Sequence, residues 1–190
     1  MTVEVLVKLR AHDPWSFTVL DALRRKFGIE AVIGVDRLKS WRLDFHPDSE
    51  DRALMLASRI LEETALLANP NRDVWTVNSQ SGVRLPGALS AAVAGGDRFF
   101  AVRVADREDF VGRQMLTVLW RRLGMSEIRG VGYSLMWILE FDRSGEEALR
   151  LAEEVAVARS WRKGLLANPH CQEATVSALP GLLCAEGGAL

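Results

Sequence analysis

The chain has 190 residues, enough for one large or two small domains. Its 24 basic and 25 acidic residues leave a formal net charge of −1. That balance supplies no global attraction to nucleic acid or to an acidic membrane surface, so neither is expected as a partner.

Val3, Val5, Val7 and Leu9 alternate, which predicts a strand over residues 3–10. Asp13-Pro14 then marks a helix start, with Asp as cap and Pro in the first turn. Phe17, Leu20, Leu23 and Phe27 follow at helical spacing, and Gly28 is placed to end the helix in a left-handed conformation. Ala31 to Val35 reads as a short strand. Trp41, Leu43 and Phe45, alternating with polar residues, read as another. A second helix is expected from about Asp48 to Ala68, with Ala53, Leu56, Ile60, Thr64 and Leu67 on one stripe. Asn69-Pro70 stops it, and residues 73–78 form a last strand.

The same order then recurs. Phe100, Val102 and Val104 alternate. Leu116, Leu119 and Leu123 mark a helix ended by Gly124. Ile128 to Val131 and Trp137, Leu139 and Phe141 give two strands. A helix is expected from about Ser144 to Ala167, and Glu173 to Ser177 closes the series.

The repeat is written in the residues themselves. Leu66, Leu67, Ala68, Asn69 and Pro70 recur as Leu165, Leu166, Ala167, Asn168 and Pro169. Gly28 and Gly124, Gly34 and Gly130, Trp41 and Trp137, and Phe45 and Phe141 each lie 96 residues apart. The second copy carries four extra residues between Leu149 and Leu165, close to one helical turn, which predicts a helix before the motif in both copies. The period is too long for a solenoid, so each copy is expected to be a small domain. The expected division is a first unit over 1–79, a linker over 80–97, a second unit over 98–178 and a tail over 179–190. Leu85-Pro86-Gly87 recurs as Leu179-Pro180-Gly181 in that tail, so each unit has either a short C-terminal arm or a flexible end.

Strand, helix, strand, strand, helix, strand is the split pattern of ferredoxin-like folds. The expected class is therefore α+β, as two tandem ferredoxin-like (βαββαβ) units with antiparallel sheets forming a pseudo-dimer. Met136 and Ile138 make one strand apolar on both sides. Its open sheet face is therefore expected to be covered by the other unit or by another subunit.

Asp-Pro before the first helix and Leu-Leu-Ala-Asn-Pro after the second resemble the PurS subunit of phosphoribosylformylglycinamidine synthase. The resemblance covers residues 3–78 and 99–177, as if two such units were fused in tandem. The family often shows Asp-Pro-x-Gly at the first helix. The first copy, Asp13-Pro14-Trp15-Ser16, keeps Asp-Pro, and the second, Asp109-Phe110-Val111-Gly112, keeps Asp and Gly. At the family's Gly-Lys turn, the first copy has Asp36-Arg37 and the second Gly132-Tyr133. Such a split fits two halves of a former symmetric dimer that have specialised.

The resemblance implies a non-catalytic accessory subunit in de novo purine biosynthesis. It would join an ATP-using synthetase subunit to the glutaminase subunit that supplies ammonia. The alternative is a tandem ACT-like regulatory domain binding a small amino-acid effector, since the element order is the same.

No catalytic set is visible in the sequence. Gly130-Val131-Gly132 lacks the third glycine of a phosphate loop. His12, His46 and His170, and Cys171 and Cys184, have no metal-ligand spacing, so neither metal nor cofactor is expected. Glu62-Glu63 and Glu153-Glu154 read as solvated helix faces. Arg24-Arg25-Lys26 and Arg121-Arg122 meet helix C-terminal dipoles, or offer a phosphate or acidic partner a contact. Trp15, Trp120 and Trp161 fall off the apolar stripes. They serve either partner or inter-unit contacts or core packing, and they join Arg37 and Tyr133 as the candidate partner-binding residues. Met1 to Val5 lack a basic region followed by an apolar core, and no apolar run spans a bilayer. The expectation is a cytoplasmic protein with reduced thiols.

Overall fold

A computed structural model describes residues 1–46, 49–79, 83–89, 96–160 and 164–179. Their order is β1 (Thr2–Leu9), α1 (Pro14–Arg25), β2 (Val32–Phe45), α2 (Glu50–Glu63) and β3 (Asp73–Asn78). It continues with β4 (Phe99–Asp106), α3 (Phe110–Leu123), β5 (Ile128–Phe141), α4 (Gly145–Ala156) and β6 (Gln172–Ala178). The fold is α+β, and the described residues form four helices and one six-stranded antiparallel sheet in the order β3-β1-β2-β5-β4-β6.

The sheet corrects one expectation in both halves. The two short strands foreseen on either side of Asp36-Arg37, and of Gly132-Tyr133, run as single 14-residue strands. The polar stretch from Asp36 to Ser40 reads as a turn only while no partner is in view. In the fold β5 pairs with β2 from Val32 to Phe45, so Asp36 faces Ile138 and Arg37 faces Trp137. Each half therefore runs strand, helix, strand, helix, strand.

This central pairing carries the internal symmetry. Gly34 faces Glu140 and Asp44 faces Gly130, which are equivalent pairs at the 96-residue offset. Lys39 faces Leu135, its own counterpart, so these two residues mark the pseudo-two-fold axis.

The helices cover one face and exchange partners across the axis. One core combines Val3, Val5, Val7 and the α2 residues Ala57, Ile60 and Leu61 with Leu119, Met125 and Ile128 of the second half. The other combines Phe100, Val102, Leu139 and the α4 residues Ala148, Ala152 and Val155 with Val19, Leu23 and Val32 of the first half. The first helix of each half thus completes the core of the other. Fully burying a side chain such as Leu119 or Leu23 contributes about 1.5–3 kcal/mol, so each half gains part of its core stability from the other. On the opposite face a smaller cluster joins Leu6, Leu38, Met136 and Ile138 to Leu85 and Leu89 of the connecting segment and to Leu179.

Two helices end earlier than the periodicity suggests. α2 stops at Glu63 and α4 at Ala156, so neither Leu-Leu-Ala-Asn-Pro motif is helical. The Thr64 hydroxyl donates to Ile60 O and accepts from Leu66 N–H, which turns the chain out of α2. The four inserted residues do not lengthen α4, which ends at Ala156, and Leu165 and Leu166 N–H both donate back to Val155 O. Just before the motif Gly164 has φ +77°, and a Cβ there would sit 1.6 Å from Val157 O. The start foreseen at Asp48 lies outside the described residues. In α1 the buried stripe is Ser16, Val19 and Leu23, and Phe17 is exposed.

Candidate functional site

Both motif copies build the same turn. Asn69 Oδ1 accepts from Asn71 N–H, and Asn168 Oδ1 accepts from His170 N–H. The residue four places on closes each turn: Asn69 N–H donates to Asp73 Oδ2, and Asn168 N–H to Gln172 Oε1, both at 2.9 Å. Arginines from the ends of β1 and β4 then donate to the proline carbonyls, Arg10 to Pro70 and Arg107 to Pro169. Leu67, Ala68, Leu166 and Ala167 are buried beneath. The motif aims the chain into the last strand of each half.

Three of the sequence's other candidates, Trp15, Arg37 and Tyr133, lie beside the axis. At the start of α1, the Asp13 carboxylate caps the helix by accepting from Trp15 N–H. It also takes Arg37 in a two-armed bond, Nε at 2.7 Å and an Nη at 3.2 Å. The Arg37 guanidinium stands 5.6 Å from the Trp15 ring and 5.8 Å from the Trp137 ring of the other half. Trp15 is 62% exposed, so it forms an open wall beside this cation.

At the start of α3 the equivalent Asp109 caps the helix through Gly112 N–H at 2.7 Å. Its second oxygen accepts from Tyr133 N–H at 2.6 Å. A Cβ on Gly112 would lie 2.4 Å from both Asp109 Oδ2 and Val131 O, so glycine permits this close seating of α3. The Tyr133 ring packs 4.7 Å from Trp41 of the other half. Burial raises the Tyr133 phenol above its ordinary pKa, the Arg37 charge opposes that shift, and Asp106 and Asp109 add to it. In each half 24 residues separate the capping Asp from its β-strand partner. That repeated spacing is the signal that ties Arg37 to Asp13 and Tyr133 to Asp109.

Between these two corners the helix side of the sheet presents Arg37, Lys39, Tyr133 and Leu135, by the alternation that buries Trp41 and Trp137 on that side. Lys39 is half-buried, and among the described residues it has no hydrogen bond or ion pair. Its placement escapes the sequence reading because 37, 39 and 41 share a face only if β2 is continuous.

Neither models of known protein families nor curated protein sequences match this chain.

The remaining candidates lie elsewhere. Trp120 is at the far end of α3, where its indole donates to Ile128 O at 2.6 Å. Nearby, a groove of about 150 Å³ between the ends of α2 and α3 is lined by Leu56, Ile60, Leu123 and Met125, with Arg59 and Glu63 among its polar residues. Trp161 lies outside the described residues. His12, His46 and His170 are exposed on separate turns. Among the described residues no group of three His, Cys, Asp or Glu side chains is placed to hold a metal ion. No helix there is long and apolar enough to cross a membrane.

The two tryptophans of the repeat differ in one respect. Trp41 Nε1 donates to Leu67 O at 3.1 Å. Trp137 Nε1 is buried and has no hydrogen-bond partner among the described residues.

Proposed function

We propose that this protein is a non-catalytic bridging subunit of a phosphoribosylformylglycinamidine synthase complex. In this reading it is a covalent pseudo-dimer of PurS-like units. Each half is read as a ferredoxin-like unit whose two middle strands have become continuous by pairing with their counterparts. The observation that carries the reading is the exchange of first helices about the Lys39–Leu135 axis, which makes each half incomplete alone. A fused dimer presents two related but unequal surfaces, and a bridge between a synthetase and a glutaminase needs two unequal contacts. Arg37 with Trp15 on one side and Tyr133 on the other supply such a difference. Trp120, Trp161 and contacts through the sheet face, including self-association, are further places for a partner. The cytoplasm is the compartment in which this role is exercised.

The test is complex formation. The full chain is mixed with the synthetase and glutaminase of its host in the presence of ATP and glutamine and followed by size-exclusion chromatography with light scattering. Co-elution of all three proteins is expected. Failure to co-elute with either enzyme ends this reading.

One observation favours the second reading, a tandem ACT-like regulatory domain. The first-strand-to-helix loops of both halves end beside the axis, at Asp13 and Asp109, near Lys39, which is unpaired among the described residues and suited to an amino-acid carboxylate. A rise in melting temperature with one amino acid and no other would favour it.

A further inference from the structure

We infer that the saddle over the axis, between the starts of α1 and α3, is a docking surface for a protein segment that places one carboxylate between apolar side chains. The inference rests on the bridging reading for the identity of the partner, but not for the chemistry of the surface.

Three observations lead there. The first is the charge of Lys39. It is half-buried on the helix side of the sheet with no ion pair or hydrogen bond among the described residues. The nearby carboxylates are already engaged, Asp13 by Arg37 and Asp109 by the N–H groups of Gly112 and Tyr133. An ammonium without an opposite charge, set beside apolar surface, is complementary to an incoming carboxylate.

The second is the asymmetry of the axis. In a symmetric dimer the axial residue faces its own copy, and two lysines in directly opposite positions would repel. The fused chain sets Lys39 against Leu135, so one cation and one apolar surface lie side by side. That arrangement is complementary to a partner carrying one charge next to an apolar group.

The third is the rim. Trp15 and Val111 occupy equivalent positions on the two helices and are 62% and 41% exposed. Phe110, next to Val111, is 66% exposed, with the Arg113 guanidinium 4.6 Å from its ring. Aromatic groups beside arginines, around an unpaired charge, are what protein contacts of high energy are made from.

The experiment uses the full chain and two synthetic peptides that differ in one group, acetyl-Leu-Ala-Glu-Phe-Leu-amide and the same peptide with Gln for Glu. Binding is followed by calorimetry and by tryptophan fluorescence. The acid peptide is expected to bind about tenfold more tightly than the amide, and the difference to shrink with added salt. Lys39→Gln should abolish the discrimination, and Trp15→Ala should weaken both peptides alike. Lys39→Arg should restore the preference, and Arg150→Gln, a charge removed from the exposed side of α4, should leave it intact. Equal binding of the two peptides, no binding of either, or unchanged discrimination in Lys39→Gln overturns the inference. If the acid peptide binds through Lys39 while the synthetase and glutaminase do not, the bridging reading falls and this one stands.

Discussion

The two halves answer the same structural problem with different residues. Both must seat the first helix on the central strands beside a capping aspartate. The first half puts Ser16 at the contact and clamps Asp13 with Arg37. The second uses Gly112, lets α3 approach more closely, and gives Asp109 to the Tyr133 backbone. The first solution leaves a cation and an open tryptophan on the surface. The second leaves a phenol packed against the sheet. The two halves thus share one order of elements and differ in the chemistry they place beside the axis.

The sharpest way to break this picture is to remove a leucine that crosses between halves. Leu119→Ala should cost about 2–5 kcal/mol, as deleting a fully buried leucine does. Hydrogen exchange should then rise in β1 and α2 of the first half, whose core Leu119 completes. Leu23→Ala should do the reverse, loosening β4 and α4. Loss of protection confined to the mutated half would contradict the helix exchange.

Exchanging the residues at the helix contact tests the divergence itself. Gly112→Ser, which installs the first half's residue, should destabilise by about 1–3 kcal/mol, because its Cβ meets Asp109 and Val131 O at 2.4 Å. Ser16→Gly in the first half should cost less, about 1 kcal/mol, through helix entropy and the loss of the long 3.4 Å bond that the Ser16 hydroxyl donates to Asp13. Equal costs in chemical denaturation would show that the two seats are not different.

The tryptophans give a smaller contrast. Trp41→Phe strands the Leu67 carbonyl and should cost about 1–2 kcal/mol beyond the packing change. Trp137→Phe removes an indole N–H that has no partner among the described residues, so its cost should be the packing change alone. Matching losses would contradict this.

The smallest effect is a titration. Tyr133 is the chain's one tyrosine, so its absorbance on ionisation is unambiguous. Its pKa is raised chiefly by burial, so the midpoint should lie above the ordinary value of about 10. The sign follows from linkage. The folded state favours the neutral phenol, so this contribution to stability is complete below the unfolded pKa. It is lost as pH rises through the folded one. A midpoint at or below the ordinary value would show the ring to be solvated.

Much of this was legible in the residues. Strict alternation gives β1 and β4, and Asp13 and Gly124 bound their helices. Three features were not. A polar run inside β2 looks like a turn unless β5 is known to pair with it. Apolar periodicity continues past Glu63 and Ala156, but side-chain and backbone hydrogen bonds end those helices first. Spacing along the chain also says which face of a helix is buried, not which half buries it. The exchange of α1 and α3, and with it the saddle around Lys39, follows only from the sheet order.

The bridging role is tested most directly by turnover. The host's synthetase and glutaminase are assayed with ATP and substrate, using either glutamine or ammonia, with and without this chain. The expected result is that the chain restores glutamine-dependent product formation and leaves ammonia-dependent formation unchanged. Glutamine-dependent turnover that is the same with and without the chain would contradict the proposed function.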